Sequence, residues 1–210
     1  MSRLSRWLVV AAVVSLGVAR MLPLWEVRLV APQYPEGLGL LIRANTVTGI
    51  KPSDLQSING LNHYIGMKAI EPDAIPELRW MPWILVGFAA AGLLIAAIAS
   101  RKLLLVWLAA FALLGAVGIW DFHRWEYDYG HNLDMENAII VVPGMNYQPP
   151  LIGSKQLLNF TATSWPGPGA WALGGAFGLG AAAWVIGRSS RRAKRRVTRS
   201  GTVLAHGAVV

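Results

Sequence analysis

The sequence contains no cysteine, and charged residues make up only 14% of its 210 positions. Without cysteine the chain forms no disulfide, offers no thiolate to a metal and cannot attach haem through a CxxCH motif. Soluble domains carry roughly 25% charged residues. Because charge is scarce and the hydrophobic residues, 54% of the chain, are gathered in blocks, the composition predicts a membrane protein.

Catalytic signatures are missing as well. The sequence has no GxSxG nucleophile elbow, no HExxH, no Walker A motif and no GxGxxG fingerprint of any weight. The glycines in the last apolar block are better explained by close helix packing. We therefore expect a protein that is not an enzyme.

Four apolar blocks are each close to the ~20 residues that a helix needs to cross a bilayer. The first could instead be a signal peptide, since Arg3 and Arg6 precede it, but no A-x-A-like cleavage site follows, which favours an uncleaved anchor. The sequence thus predicts an N-terminal anchor (1–24, apolar over 7–24), a first loop (25–81), a transmembrane hairpin (82–120, with spans 82–100 and 103–120), a second loop (121–168), a fourth helix (169–187) and a basic tail (188–210).

The placement of charge predicts an orientation, because lysine and arginine concentrate on the cytoplasmic side of membrane proteins. Eleven of the 19 basic residues precede the first span, link spans two and three, or follow span four, whereas all 11 acidic residues lie in the two long loops. We expect an inner-membrane protein with both termini cytoplasmic and both loops extracytoplasmic. On this interpretation the net charge of +8 reflects the membrane orientation and a contact of the basic residues with anionic lipid. It does not indicate nucleic-acid binding.

The loops show local patterns of their own. Residues 26–30 and 38–47 read as a β-hairpin with a turn at 34–37, and residues 138–142 and 155–162 as further strands. Ser53 and Gln56 form a capping-box pattern that starts a helix, which Gly66 would end. Residues 71–79 should be irregular, and the third span should continue outward to Gly130. The predicted fold is an α-helical membrane protein with four transmembrane helices and a small α+β extracytoplasmic domain formed by two loops.

Histidine and methionine stand out in these loops. Imidazole and thioether groups suit copper, especially Cu(I), outside the cytoplasm. The sequence therefore predicts a copper site in which His63 and Met67 of the first loop converge with His131 and Met145 of the second. The alternative for each residue is ordinary packing and hydrogen bonding, which is our interpretation of Met81 and Met135.

Carboxylates are dense around His131 and leave a second interpretation open. Together with His123 they could form a site for a harder metal or a proton relay, and otherwise they form a solvated acidic surface. The five carboxylates are Asp121, Glu126, Asp128, Asp134 and Glu136.

Several strings of the two loops resemble a family of uncharacterised bacterial multi-span membrane proteins associated with copper handling and with accessory functions for nitrous-oxide reductase. The resemblance covers about residues 25–165 and the spans. It rests on YPEGL (34–38), NGLNHYIGMK (59–68), YGHNLD (129–134), VPGMNYQPPLIG (142–153), Lys155 and LLNF (157–160). The resemblance implies the same four residues, His63, Met67, His131 and Met145, as the functional set.

These observations predict a membrane-anchored copper-binding accessory protein that holds or delivers copper for an extracytoplasmic metalloenzyme. The alternative is a structural or assembly subunit of a larger membrane complex, in which the loops form a docking surface without metal. A membrane enzyme that uses the histidine and carboxylate cluster is the third option. The expected partners are the lipid bilayer and either a copper enzyme or the subunits of a complex.

Overall fold

The computed structural model describes the backbone of residues 1–206 and the side chains of residues 1–187. Four of its helices are long and apolar enough to cross a membrane, as the sequence predicts. They are α1 (Arg3–Met21), α3 (Pro76–Ile98), α4 (Arg101–His131) and α5 (Pro168–His206), whose apolar part ends at Gly187. The side chains of the basic tail predicted for residues 188–210 lie outside the described part of the chain.

The four helices pack into a bundle because each presents small or apolar residues at helical spacing. The buried residues of α1 recur every three or four positions, from Ser5 through Val9, Ala12 and Leu16 to Ala19. They meet the aromatic cluster of α3, α4 and α5, in which the ring centroids of Trp107 and Phe111 are 5.4 Å apart, and which also contains Phe88 and Phe177. Large apolar side chains on the outer faces stay exposed, as expected of lipid-facing positions.

One end of this bundle carries the basic groups that the sequence places between and beside the spans. The amino group of Met1 donates a hydrogen bond to the carbonyl of Ala99 (3.1 Å), and Arg6 donates to that of Ala96 (2.8 Å). The guanidinium of Arg101 donates to the carbonyl of Trp184 (3.1 Å). The start of α1, the α3–α4 link and the end of the apolar part of α5 therefore lie together.

The opposite end carries a five-stranded antiparallel sheet with the strand order β3-β2-β1-β5-β4. The strands are β1 (Trp25–Ala31), β2 (Tyr34–Ile42), β3 (Val47–Gly49), β4 (Gly153–Leu157) and β5 (Phe160–Pro166), and helix α2 (Asp54–Tyr64) packs on the sheet. The first three strands come from the first loop and the last two from the second. The pairing of β1 with β5 thus builds one sheet from both loops.

A buried carboxylate fastens α2 to this sheet. Asp54 is 1% exposed, and its Oδ2 accepts hydrogen bonds from the backbone N–H groups of Gly39 and Lys51, both at 3.0 Å. Ser53 precedes α2 as expected, but its side chain makes no capping hydrogen bond, so the predicted capping box is wrong. The backbone of Ser53 is already helical there, and Asp54 binds the preceding turn instead.

Other local predictions also need correction. The hairpin of β1 and β2 is confirmed, but its turn is at residues 32–33, and residues 34–37 already belong to β2. Residues 71–79 are not irregular: a short 3-10 helix spans Pro72–Ala74, and α3 begins at Pro76, where a helix needs no N–H. Residues 155–162 are two strands rather than one, with a turn between them.

Helix α4 continues well past its apolar part. Its 31 residues span about 46 Å at ~1.5 Å per residue, against a hydrocarbon core of ~30 Å. We call residues 121–131 the α4 extension; it lies beside the sheet, where Phe122 packs on Trp25 with ring centroids 5.2 Å apart. The sequence prediction that the third span continues to Gly130 is confirmed to within one residue.

Gly130 is where the stretch around Gln148 crosses back over the α4 extension, and a substitution tests that crossing. A Cβ atom at Gly130 would lie 2.4 Å from the backbone of Gln148, whereas one at Gly118 on the same helix would meet nothing within 4 Å. We expect Gly130→Ala to destabilise the protein by about 1–3 kcal/mol through overpacking. Gly118→Ala should be neutral or stabilise by up to about 1 kcal/mol, because alanine favours helix. Thermal unfolding in detergent measures both; equal effects would contradict the crossing.

Candidate functional site

The end of α2 places two of the predicted copper ligands close together. The helix ends at Tyr64, and Gly66 adopts a φ of +75°, a left-handed conformation that favours glycine and turns the chain back. The N–H of Met67 then donates to the carbonyl of Asn62 (2.9 Å). This turn returns Met67 to the side of the helix end that carries His63.

The second loop meets the first at this turn through two backbone hydrogen bonds. The N–H of Asp134 donates to the carbonyl of Gly66 (2.7 Å), and the N–H of Ile140 donates to the carbonyl of Tyr64 (2.8 Å). Gly66 also lies close against the second loop, since a Cβ there would lie 2.6 Å from the carbonyl oxygen of Asp134. The prediction that the two loops come together is therefore confirmed at the backbone.

Asp134 and Asn137 form a small turn that faces this junction. Oδ1 of Asp134 accepts from the N–H groups of Glu136 and Asn137, both at 3.2 Å, and Oδ2 accepts from the Asn137 side-chain amide at 2.8 Å. These bonds, with a smaller contribution from nearby His63, hold the pKa of the Asp134 carboxyl below its ordinary value. Asp134 therefore remains an anion beside His63 at neutral pH.

A cavity of about 160 Å³ lies at the junction, and we call it the junction cavity. Its walls come from both loops: the first loop supplies the imidazole and the thioether, and the second supplies the carboxylate and amide of the small turn. His63 is exposed and Met67 half-buried, so an ion could reach both from solvent. The lining residues are His63, Gly66, Met67, Lys68, Asp134 and Asn137.

The other two predicted ligands do not line this cavity. His131 is the last residue of α4; its ring stacks on Tyr127 with centroids 4.0 Å apart, and its Nδ1 lies 3.1 Å from the Tyr127 carbonyl oxygen. That contact leaves Nε2 as the nitrogen available to a ligand. Met145 is half-buried in a turn, where its N–H donates to the carbonyl of Val142 (3.1 Å). The structure thus brings His63 and Met67 together and leaves His131 and Met145 on neighbouring stretches of the second loop.

Lys68 ties the junction to the α4 extension. Its Nζ lies 2.8 Å from Oδ2 of Asp128, and this contact is the largest cause of a lowered Asp128 pKa. One residue further on, the carbonyl of Ala69 accepts a hydrogen bond from the hydroxyl of Tyr129 (3.4 Å). Both contacts are exposed, so each adds little stability, but together they fix the chain that leaves the cavity.

The carboxylates around His131 do not assemble into one site. Asp121 pairs with Arg124 (2.8 Å), Asp128 pairs with Lys68, and Asp134 is engaged in its own turn. Within the part of the chain that the structure describes, no three His, Asp or Glu side chains form a group that could hold a metal ion. The geometry therefore gives no support to the interpretation of this cluster as a hard-metal site.

Two cavity residues were not singled out by the sequence. Lys68 follows Met67 directly, and Asn137 follows Asp134 by three residues, a spacing typical of the turns that an aspartate side chain stabilises. That spacing is a local signal for the turn, but nothing in it shows that the turn faces His63. Residues 138–142, predicted as a strand, form none; the N–H of Ile140 bonds to Tyr64 in the first loop instead.

No family model and no curated protein matches this chain.

Two glycines with nearly the same backbone conformation test whether the junction depends on close approach. Gly66 (φ +75°) and Gly144 (φ +74°) both adopt the left-handed conformation that favours glycine, but a Cβ at Gly144 would meet nothing within 4 Å. Alanine costs about 1–2 kcal/mol at either position through the left-handed conformation. We expect only Gly66→Ala to add a collision with Asp134 and so to open the junction.

Hydrogen exchange followed by mass spectrometry measures this opening. In Gly66→Ala the amides of Asp134 and Ile140 should lose protection, while in Gly144→Ala they should exchange as in the parent. Equal protection in the two variants would show that the loops meet without needing the Gly66 contact.

Proposed function

We propose that this chain is a membrane-anchored copper-binding accessory protein that holds or delivers copper for an extracytoplasmic metalloenzyme. The observation that supports the proposal most is the junction cavity, where His63 and Met67 share one space with the anion Asp134. Imidazole and thioether groups together favour Cu(I), and a nearby carboxylate favours a cation. The chain supplies these groups without a catalytic nucleophile motif, in keeping with a carrier rather than an enzyme.

The residues present fit copper in part. His63 and Met67 would hold the ion directly, whereas the oxygens of Asp134 already accept three hydrogen bonds and would act mainly by charge. His131 and Met145 are the proposed second pair of ligands. They flank the stretch that the hydrogen bonds of Asp134 and Ile140 attach to the first loop, His131 three residues before it and Met145 five residues after it. The copper proposal requires a local movement that brings both side chains to the cavity.

The proposed location is the inner membrane, with the sheet outside and both termini inside. Charge supports this orientation, because Arg3, Arg6, Arg101 and Lys102 lie at the bundle end opposite the sheet, whereas all 11 acidic residues lie in the two loops that carry the sheet. A site on the sheet side would then face the compartment in which thioether ligands replace thiolates. The bilayer and a copper-dependent enzyme are the proposed partners.

A second candidate function is that of an assembly subunit of a membrane complex, and one surface favours it. Ile139, Ile140 and Val141 are 63%, 49% and 48% exposed on a stretch outside the apolar helices. Consecutive exposed apolar residues of this kind are typical of protein interaction sites. In this alternative the junction orders the apolar stretch, and no metal is bound.

The copper proposal predicts a non-additive loss of affinity. His63→Ala and His131→Ala should each lower Cu(I) affinity by about tenfold or more, which is ~1.4 kcal/mol or more. The double variant should be little worse than the worse single variant, since ligands of one site do not lose affinity independently. Titration of the purified protein with Cu(I) against a competing chelator measures all three.

His123→Ala is the matched control, because His123 is an exposed histidine of the α4 extension that lines no part of the cavity. It should bind copper like the parent. Loss of affinity in His63→Ala alone would restrict the site to the junction cavity and remove His131 from it. Parent-like binding by both single variants would reject the copper site and leave the assembly function.

The proposed orientation predicts one-sided proteolysis. Trypsin should cleave the basic cluster at residues 191–196 in inverted vesicles, where the cytoplasmic face is exposed, and should leave it intact in right-side-out vesicles. Mass spectrometry of the released peptides identifies the sites. Cleavage of that cluster only in right-side-out vesicles would reverse the orientation and place the junction cavity in the cytoplasm.

A further inference from the structure

The α4 extension contains a buried carboxyl group that nothing in the proposed copper site uses. Glu126 is 6% exposed, and within the described residues neither of its carboxyl oxygens has a hydrogen-bond partner. It lies six residues beyond Trp120, where the apolar stretch of α4 ends. A buried charge without a partner is strongly disfavoured, so the ionised form of this carboxyl group destabilises the packed structure around it.

Glu126 lies on the face of α4 that packs against β1 and against the stretch at Tyr147 and Gln148. Phe122, four residues before it, packs on Trp25 of β1, and Gly130, four residues after it, lies under the backbone of Gln148. Residues four apart share one face of a helix. The N–H of Tyr147 donates to the carbonyl of Gly130 (2.9 Å), which fixes the covering stretch in place.

The covering stretch buries a second polar group. Tyr147 is 3% exposed, its ring stacks on Phe160 of β5 with centroids 6.3 Å apart, and its hydroxyl has no described hydrogen-bond partner. Burial also raises the pKa of this phenol, so Tyr147 stays neutral and adds no negative charge beside Glu126. We call residues 145–150 the covering segment.

The charged and titratable groups on the surrounding elements do not neutralise Glu126. Burial alone accounts for its altered pKa, which is raised from 4.5 to about 7. The neighbouring groups contact other partners. Three basic residues form ion pairs: Lys68 with Asp128, Arg124 with Asp121 and Glu77, and Arg28 with Glu26. Lys155, Tyr129 and His131 contact the carbonyls of Gln148, Ala69 and Tyr127, and His123 is exposed.

We propose that Glu126 is a proton-binding site that controls the covering segment: the segment packs on α4 while the carboxyl group is protonated, and it is released when the proton leaves. A neutral carboxyl group can stay buried without a counter-ion, whereas a carboxylate regains its hydration only when the segment opens. The proposal concerns a proton only and does not rest on copper binding.

The direction of the effect follows from the two states. In the open state the carboxyl group has its ordinary pKa near 4.5, and in the packed state about 7. Between these values the packed state keeps a proton that the open state releases. The free energy that favours the packed state therefore falls as pH rises, and this fall is complete above pH 7. From pH 5.5 to 8.5 the opening constant should rise by roughly 30-fold on this basis.

Hydrogen exchange at the Tyr147 amide tests the release, because that N–H is bonded only while the segment covers Gly130. The full-length protein in detergent, with a chelator present, is compared from pH 5.5 to 8.5 after correction for intrinsic exchange. The parent should show the roughly 30-fold rise in opening expected for a group shifted from 4.5 to about 7. Glu126→Gln, which cannot ionise, should show none, and Glu136→Gln, an exposed carboxyl group, should behave like the parent.

A measurement on the parent alone keeps the proposal testable if a variant folds poorly. The infrared carbonyl band of neutral carboxylic acids in the parent should contain a component that titrates with a midpoint near pH 7. A midpoint below pH 5 would overturn the proposal. A pH-dependent rise in opening that persists in Glu126→Gln would equally overturn it.

Discussion

The antiparallel pairing of β1 with β5 is the contact on which the rest of the structure depends. β1 begins four residues after α1 ends, and β5 ends two residues before α5 begins, so pairing the strands also sets α1 beside α5. The link is tight: the N–H groups of Gly167 and Gly169 donate to the carbonyls of Leu24 (2.9 Å) and Pro23 (2.8 Å). A Cβ at Gly167 would lie 2.5 Å from the Pro23 carbonyl oxygen, so the strands cannot separate without moving the helices.

The junction cavity is less strongly constrained than the sheet. It lies where α2 ends and the second loop returns from α4, and the two loops are joined there by two backbone hydrogen bonds and the Gly66 contact. Each hydrogen bond contributes about 1 kcal/mol, far less than the pairing of β1 with β5, which joins six residue pairs and buries side chains. The junction can therefore open without disturbing the sheet, which is compatible with the proposed exchange of an ion there.

The features that the sequence predicts well are those with local causes. The four apolar helices and the β1–β2 hairpin follow from hydropathy, alternation and a nearby turn. The pairing of Trp25 with Pro166 joins residues about 140 positions apart, and no local pattern encodes it. Residues 138–142 show the same limit: their β-branched side chains favour a strand, but a strand needs a partner, and the available N–H of Ile140 bonds to the end of α2 instead.

The candidate site also combines a part that local sequence predicts with a part that depends on distant contacts. Gly66 next to Met67 makes the return toward His63 predictable, because a glycine after a helix permits the left-handed turn. The positions of His131 and Met145 depend on two anchors that sequence does not reveal: the Ile140–Tyr64 bond on one side of Met145 and the Tyr147–Gly130 bond on the other. Met145 lies five residues from the first anchor and two from the second, so the second limits its reach far more. Glu126 lies on the helix face that carries Gly130 of that second anchor, so on our proposal the charge of one buried carboxyl group sets how freely the segment that contains Met145 moves.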